Sequence, residues 1–241
     1  MRKYRALLIN DIRHAGLDPV LMAGILGPLA LLFLSRFGFS IAEHWLEDRY
    51  AFHLGEYRGF AASFLITVIP MLIGMMTGLL MLDERDEEVI AYYAVTPLMR
   101  KGYMVYRLFL PSILCTVLSS LYLLFSGIAE ISLESLYVLL LLALEAPCFA
   151  LFLSAFAANK VEGLALSKLG GLFIAGPVVA YFVPGGWQLL GAWIPSYWPA
   201  KTFLEGMGDR HLAAFSHFAL GLLIHVFLLM IMVKVFIKRV D

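Results

Sequence analysis

Charged residues, cysteines and a net charge of either sign are all scarce in this sequence. Only 15% of the 241 residues are charged, compared with about 25% in a typical soluble domain. Hydrophobic residues make up 61% of the chain, which excludes a disordered protein and argues against an ordinary soluble domain. Lysine plus arginine equals aspartate plus glutamate at 18 each, so no basic excess indicates nucleic acid. The two cysteines, Cys115 and Cys148, are too few for a disulfide framework or a four-ligand zinc site.

Six apolar segments are long enough to cross a bilayer, which takes about 20 residues of helix. They are Val20–Phe39, Gly59–Leu82, Tyr106–Ile128, Ser135–Ala157, Leu164–Val183 and Ala213–Val233. The sequence therefore predicts one all-α integral membrane domain of six transmembrane helices, with both termini on the same side. We expect the first segment to be a retained span, because the sequence that follows it does not resemble the small-residue cleavage site of a signal peptide.

Basic residues are distributed unevenly between the two ends of this predicted bundle, which indicates its orientation. With the N-terminus inside, the outer side carries 5 of the 18, namely Arg36, Arg49, Arg58, Lys201 and Arg210. The inner side carries the other 13, namely Arg2, Lys3, Arg5, Arg13, Arg85, Arg100, Lys101, Arg107, Lys160, Lys168, Lys234, Lys238 and Arg239. All four tryptophans fall in outer connections, where aromatic rings favour the interface: Trp45, Trp187, Trp193 and Trp198. Both termini are therefore predicted to be cytoplasmic.

Three connecting segments have a character of their own. Residues 1–19 combine apolar positions on one helical face with basic side chains, which predicts an amphipathic helix on the inner membrane surface; the alternative is a basic flank that only sets orientation. Residues 40–58 contain histidines and carboxylates that could form a metal site. Because they show no recurring metal-ligand spacing, we expect a charged, solvated outer loop instead. Residues 184–212 are too apolar for a free loop and are interrupted by three prolines, which predicts a short re-entrant or interfacial hairpin closing the outer face.

The inner connection, residues 83–105, combines an acidic run with apolar and aromatic side chains. Its carboxylates are expected at the start of a short helix, where negative charge suits the helix dipole. Thr96 precedes Pro97 and should end that helix. An uncovered apolar face usually has a partner, and the alternative is that it dips into the lipid interface. The face consists of Val89, Ile90, Tyr92, Tyr93 and Val95.

No site for ATP is found in the sequence. The Gly-x-x-x-x-Gly-Lys-Ser/Thr motif of a phosphate loop does not occur, and residues 83–105 are too few for a nucleotide-binding domain. We therefore expect no cofactor in this chain. If ATP drives its activity, another polypeptide must bind the nucleotide and its magnesium ion.

These features together resemble the membrane subunit of ABC-2 type transporters, and within it the small fluoroquinolone-export-like permeases. The resemblance covers nearly the whole chain and is carried mainly by residues 83–98, 158–168 and 195–201. It implies a non-enzymatic export permease in a prokaryotic plasma membrane, paired with a second permease subunit and joined to ATPase subunits. A drug-like, lipid-like or peptide substrate would pass between the permeases. The implied coupling residues, which would contact the ATPase, are Glu84, Glu87, Glu88, Val89, Tyr92, Tyr93, Thr96 and Pro97.

Three ionisable residues within the predicted spans are candidates for a translocation path. Glu145 lies near the middle of the fourth span and His225 at a similar depth in the sixth, where charge is costly and often functional. Glu145 could instead be a protonated structural residue near Pro147. Lys168 lies about one turn inside the fifth span, where extension of its side chain to the headgroups also explains it.

Other functions remain open from the sequence. An integral membrane enzyme could use Glu145 with His217 and His225 as an acid-base or metal group, and a permease-like chain could serve in sensing or immunity. A Gly-x-x-x-Gly motif at Gly74 and Gly78 predicts close helix packing, either within this subunit or against a second one.

Overall fold

The computed structural model describes residues 8, 9, 11, 13, 16, 18–96 and 99–240. Its described residues form helices and connections without a strand, and six helical segments are long and apolar enough to cross a membrane. The predicted all-α fold with six spans is therefore confirmed. Most of residues 1–19, for which an amphipathic helix was predicted, and Pro97 lie outside the described residues.

Between Pro19 and Val240 the described residues form ten α-helices, three 3-10 turns and one π-helical turn. The helices are α1 (Pro19–Phe33), α2 (Phe39–Tyr50), α3 (Arg58–Asp86), α4 (Val89–Ala94), α5 (Met99–Phe125), α6 (Glu134–Phe156), α7 (Lys160–Ser167), α8 (Ala175–Phe182), α9 (Tyr197–Met207) and α10 (His211–Val240). A π-helical turn covers Leu34–Gly38, and 3-10 turns cover Leu54–Tyr57, Lys168–Leu172 and Gly185–Leu190.

The first span is longer than its apolar stretch. The π-helical turn Leu34–Gly38 joins α1 to α2 without a break, so the helix continues to Tyr50 and the prediction of a loop from residue 40 was wrong. A π turn accommodates an extra residue within a helix, and Ala42, Leu46 and the two glutamates that follow are good helix formers. The helix ends at Tyr50, and the next residue, Ala51, has a left-handed backbone (φ 51°) while its N–H donates to the carbonyl oxygen of Glu47 at 3.0 Å.

The fifth span is a broken helix made of α7, the 3-10 turn Lys168–Leu172 and α8. The break lies at two consecutive glycines, which cost helix stability. A Cβ atom at Gly170 would lie only 3.1 Å from the Phe149 ring and 3.1 Å from the Met71 sulfur. A close approach of the fifth span to α3 and α6 therefore accompanies the break.

The centre of the bundle is the packing of α3 against α6. A Cβ atom at Gly74 would lie 2.6 Å from the carbonyl oxygen of Ala146, and one at Gly78 would lie 2.9 Å from that of Ala150. Only glycine allows this backbone approach, which is how small-residue motifs join membrane helices. The Gly-x-x-x-Gly motif therefore serves packing within this subunit.

Contacts between connections show which of them share an end of the bundle. At one end, Nζ of Lys160 lies 2.6 Å from carboxylate oxygens of both Asp18 and Asp83. At the other end, Nδ1 of His211 lies 2.6 Å from a carboxylate oxygen of Glu134. These pairs join the segments that an alternating six-span arrangement places together.

Residues 184–212 enter the bundle and return. The descending limb follows the fifth span, because Gly191 packs on Val179 and the Ser196 hydroxyl donates to the Phe173 carbonyl. The ascending limb is α9, which runs from Trp198, packed near Leu141, to Gly206, packed on Glu134. Since Glu134 and Leu141 are seven residues apart on α6, the excursion is about 10 Å deep. The segment thus has the re-entrant rather than the purely interfacial form.

Candidate functional site

The acidic run of residues 83–88 occupies a different place from the predicted one. Asp83 to Asp86 form the last turn of α3, and the short helix α4 begins only at Val89, so the prediction that the run opens the short helix was wrong. Carboxylates at a helix C-terminus are disfavoured by the helix dipole, and basic partners offset this cost here. Asp83 pairs with Lys160, and Glu84 pairs with Arg107.

Arg107 stands at the centre of a buried cluster that joins three segments of the chain. Its Nη1 and Nη2 lie 2.8 and 3.0 Å from the two carboxylate oxygens of Asp11, and its Nε lies 3.0 Å from Glu84 Oε2. Its Nη2 also bonds the other oxygen of Glu84. The Tyr103 hydroxyl donates to Glu84 at 2.8 Å, and the Tyr106 hydroxyl donates to Asp11 at 2.7 Å. We call Asp11, Glu84, Tyr103, Tyr106 and Arg107 the Arg107 cluster.

Glu84 therefore cannot act as an exposed contact on the coupling loop. It is buried, and both of its oxygens are engaged by Arg107 and Tyr103. This placement corrects the sequence-based assignment of Glu84 to the surface that would meet an ATPase. Because the carboxylate is held by α5, it instead fixes the end of α3 from which the loop departs.

The helix α4 rests on the Arg107 cluster through its inner face. Ile90 is buried, and the Tyr93 ring stacks on the Tyr103 ring at a centroid distance of 5.9 Å. Burial, and next the nearby Glu84 carboxylate, raise the pKa of the Tyr93 phenol, so this side chain stays neutral at physiological pH. Tyr93 thus anchors α4, which corrects its assignment to the outward face.

The outer face of α4 and its flanks is acidic and aromatic. The side chains of Glu87 and Glu88 are exposed, and 66% of Tyr92 and 85% of Val95 are accessible. Val89 is half-buried, and the Thr96 hydroxyl donates to the Tyr93 carbonyl at 2.8 Å near the end of the helix. We call Glu87, Glu88, Tyr92 and Val95 the α4 face.

The short connection before α7 is tied to the same end of the bundle. The Arg85 guanidinium donates to the carbonyl oxygens of Ser154, Ala157 and Ala158 at 2.7–2.9 Å. Ser154 lies in the last turn of α6 and the two alanines follow its end, where carbonyl groups lack a helical partner. Asn159 caps α7 by accepting from the Glu162 N–H at 2.9 Å. Arg85 therefore ties the end of α3 to the end of α6.

Glu145 and His225 lie deep in the bundle on the neighbouring helices α6 and α10. Both side chains are buried, and neither Glu145 Oε2 nor His225 Nε2 has a hydrogen-bond partner. His225 Nδ1 donates to the Gly221 carbonyl oxygen at 2.7 Å, so its Nε2 is left as an acceptor in the neutral ring. Buried polar atoms without partners are costly and call for a functional or structural reason.

The other candidates do not gather around this pair. Lys168 is exposed at the break in the fifth span, and His217 Nδ1 donates to the Ala213 carbonyl oxygen at 2.7 Å, eight residues before His225. Within the described ranges, no three histidine, cysteine, aspartate or glutamate side chains are placed to hold a metal ion. The described residues thus include a cluster of paired charges at one end of the bundle and, in its core, two side chains that each have one polar atom without a partner.

Sequence reasoning passed over most of the Arg107 cluster. Asp11 and Tyr106 belong to no sequence motif, and the sequence analysis counts Arg107 only among the basic residues of the inner side. One usable signal was the positive charge of Arg107: an arginine within the third span requires a carboxylate partner, and the acidic run that contains Glu84 lies at the same predicted end.

The chain is similar to known export permeases. A family profile described as "Fluoroquinolones export permease protein Rv2686c-like" matches residues 11–233. Two relatives are named fluoroquinolones export permease protein MT2760 and Rv2686c, from the CDC 1551 / Oshkosh and H37Rv strains of Mycobacterium tuberculosis. Each is 30% identical over 198 residues, which cover 80% of this chain and 79% of the relative. No solved structure matches the chain significantly.

Proposed function

Because the chain belongs to the Rv2686c-like family of fluoroquinolone export permeases, we propose that it is the membrane subunit of an ATP-driven exporter of the ABC-2 type. Separate ATPase subunits bind ATP and magnesium, and a second permease copy or paralogue completes the path. The substrate is drug-like, with fluoroquinolones the first class to test because the relatives carry that name; lipid-like molecules and peptides are the other candidates.

The observation that carries this proposal is the placement of α4. A helix of six residues is too short to be stable alone, yet it is fixed from inside by Ile90 and by the stacking of Tyr93 on Tyr103. Its opposite side presents the α4 face, which combines carboxylates with an exposed aromatic ring. A rigid, exposed aromatic surrounded by charge is typical of a protein-docking surface.

The Arg107 cluster would transmit movement from this face. It connects the base of the loop, α5 and the N-terminal segment through hydrogen bonds between charged groups. Such bonds are directional and about twice as strong as neutral ones. An ATPase that moves α4 would therefore move the end of α3 and the beginning of α5 together.

The orientation follows from charge. The end of the bundle that carries α4, Lys160 and the C-terminal residues has the excess of lysine and arginine, which favours the cytoplasm of a prokaryotic plasma membrane. Both termini are proposed to lie there, and the re-entrant hairpin is proposed to close the outer end.

Glu145 and His225 are proposed to line or gate the translocation path. Their unpartnered atoms provide an acceptor and a carboxyl group in an apolar core, and intramembrane ionisable groups commonly mark such paths. Lys168, which is exposed at the broken fifth span, would act at the mouth of the path rather than beside them.

An enzymatic role for Glu145, His217 and His225 has less support. His217 donates to the carbonyl oxygen of its own helix, and the relatives carry permease names. A role in sensing or immunity shares all features of the proposed fold and differs only in the absence of net transport.

The coupling role is tested by removing one aromatic side chain from the α4 face. Tyr92→Ala should weaken copurification of the ATPase subunit, because truncating a central aromatic of an interface costs at least about 2 kcal/mol, roughly thirtyfold in Kd. Tyr50→Ala is the matched control, since Tyr50 is exposed to a similar extent, 64%, at the opposite end. ATPase retention and drug-stimulated ATP hydrolysis are measured for both variants.

Charge reversal separates the contribution of the carboxylates. Glu87→Lys with Glu88→Lys should weaken assembly mainly at low salt, since exposed charges tune association rate and specificity. If Tyr92→Ala retains the ATPase as fully as Tyr50→Ala does, the α4 face is not the coupling surface. If no ATPase with a phosphate loop copurifies with the wild-type chain, the exporter proposal itself fails.

A further inference from the structure

The break in the fifth span carries a lysine without a counter-charge. Lys168 begins the 3-10 turn that joins α7 to α8, and its side chain is exposed on the surface of the bundle. Among the described residues no carboxylate pairs with its ammonium group. Lys160, at the start of the same span, contacts both Asp18 and Asp83 instead. An unpaired cation within a membrane span is costly and is by default a candidate for function.

The depth of Lys168 follows from the contacts of its span. Lys160 and its partner Asp83 mark the inner end, and Lys168 lies eight residues further on, which is about 12 Å of helix. Packing gives an independent value. A Cβ atom at Gly170 would lie 3.1 Å from the Met71 sulfur, and Met71 is twelve residues, or about 18 Å, from Asp83 on α3. Half of a hydrocarbon core of about 30 Å is about 15 Å, so Lys168 lies near the midplane.

Extension of the side chain to the headgroups does not account for a lysine at this depth. Five bonds of about 1.5 Å each cannot carry the ammonium group of Lys168 back over about 12 Å. The charge therefore remains within the central part of the bundle. Its environment on the exposed side has to be polar.

The chain around Lys168 is open on the same side. Leu169 and Leu172 are 50% and 55% accessible, and a Cβ atom at Gly171 would meet no atom within 4 Å. Uncovered backbone is unfavourable in hydrocarbon, as is an unpaired charge. Because both occur on one turn at one depth, they indicate water rather than lipid beside this turn. Broken helices near the bilayer midplane commonly line substrate sites in transporters.

A single cation between exposed leucines selects an anion with an apolar body. Lipid headgroups lie half a membrane thickness away from Lys168. The anion must therefore belong to a molecule that enters the centre of the bundle, and the exported molecule is the one that does so.

We propose that Lys168 binds a carboxylate of the exported molecule, whose apolar body rests on Leu169 and Leu172. The inference rests on the proposed export function and adds a substrate class to it, namely apolar molecules that carry a carboxylate. The mouth of the path then opens on the side of the bundle, at about half of its depth. Export of a drug without an anionic group would not depend on Lys168.

Binding of ciprofloxacin and of its methyl ester to the full chain, in phosphatidylcholine nanodiscs at neutral pH, tests the charge pairing. The two compounds share rings and amine, and only the first has a carboxylate. The wild type should bind the acid at least about tenfold more tightly, because a hydrogen bond between charged groups contributes at least that factor. Lys168→Gln should bring this preference to near unity, and Lys168→Arg should keep it. Lys238→Gln, the same change at an exposed lysine in the last turn of α10, should also keep it.

Thiol labelling tests for water beside the turn. Leu172→Cys should react in the nanodisc with a charged, membrane-impermeant reagent. Leu223→Cys is the control, since Leu223 is 69% exposed on α10 and lies about 18 Å from its outer end, where lipid should protect it. The native cysteines, Cys115 and Cys148, are buried.

Four results would overturn the inference and leave the exporter proposal standing. They are binding of neither compound by the wild type, equal binding of both, an acid preference in Lys168→Gln as large as that of the wild type, and labelling of Leu172→Cys no faster than that of Leu223→Cys. Failure of an ATPase subunit to copurify contradicts the exporter proposal instead, and it leaves these binding measurements unaffected.

Discussion

Replacement of Arg107 by methionine should destabilise the protein more than the loss of any exposed cation. The side chain of Arg107 is fully buried, and those of its partners Asp11 and Glu84 are only 8% and 5% exposed. Methionine fills similar volume but leaves two buried carboxylates without their counter-charge. Removing one member of a buried charged group costs about 3–5 kcal/mol.

That cost is large relative to a total stability of about 5–15 kcal/mol. For a chain of this size each kcal/mol lowers the Tm by about 2–4 °C, so Arg107→Met should lower it by about 6–20 °C. Thermal unfolding in detergent, followed by tryptophan fluorescence and by size-exclusion recovery, measures the shift. Arg58→Met is the control, since its 3.6 Å contact with Glu43 joins side chains that are 47% and 23% exposed and a surface pair contributes about 1 kcal/mol or less.

The charge-pairing argument also predicts rescue. Asp11→Asn with Glu84→Gln, added to Arg107→Met, removes the uncompensated charges and should regain at least half of the lost Tm, because replacing a whole buried charged group is often close to neutral. The reasoning is refuted if Arg107→Met shifts the Tm no more than Arg58→Met. It is also refuted if the triple variant is less stable than the single one.

Three other outcomes are expected. Gly74→Ala should reduce the free energy of unfolding by about 1–3 kcal/mol and so lower the Tm and the yield of monodisperse protein, because its Cβ would lie 2.6 Å from a backbone oxygen of α6. At Gly171 an added Cβ meets no atom within 4 Å, so Gly171→Ala should be tolerated. Glu145→Gln should keep expression and abolish drug efflux from cells if Glu145 serves the path; full efflux would leave it a structural role only. In intact cells an impermeant thiol reagent should label cysteines introduced at the exposed outer positions Tyr50 and Leu212. It should not label cysteines at the exposed inner positions Val95 and Val161, and labelling at either of these would contradict the proposed orientation.

The number of spans and the class of fold were determined by the sequence alone. A bilayer requires each crossing segment to satisfy its own backbone hydrogen bonds, so about 20 apolar residues can only be a helix. The re-entrant hairpin was predictable for a related reason, because Pro184, Pro195 and Pro199 interrupt a stretch too apolar to remain in water. These are local properties, which do not depend on what the segment packs against.

The site depended on distances that the sequence does not contain. Glu84, Glu87 and Glu88 are chemically alike along the chain, yet only Glu84 turns inward, because Arg107 and Tyr103 lie opposite it on α5. Tyr92 and Tyr93 are adjacent, and the ring of Tyr103 decides which one is an anchor and which is exposed. Neighbouring residues on a short helix point in different directions, so their roles follow from the position of α5.

The same reason explains the remaining differences. The Gly-x-x-x-Gly motif predicted a close helix contact but not its partner, which tertiary packing assigned to α6 of the same chain. Asp11 and Arg107 are 96 residues apart, and no periodicity connects them. Hydropathy and chain length determined which segments cross the membrane, whereas the pairing of buried charges, which is worth several kcal/mol only at hydrogen-bonding distance, was decided by the tertiary structure.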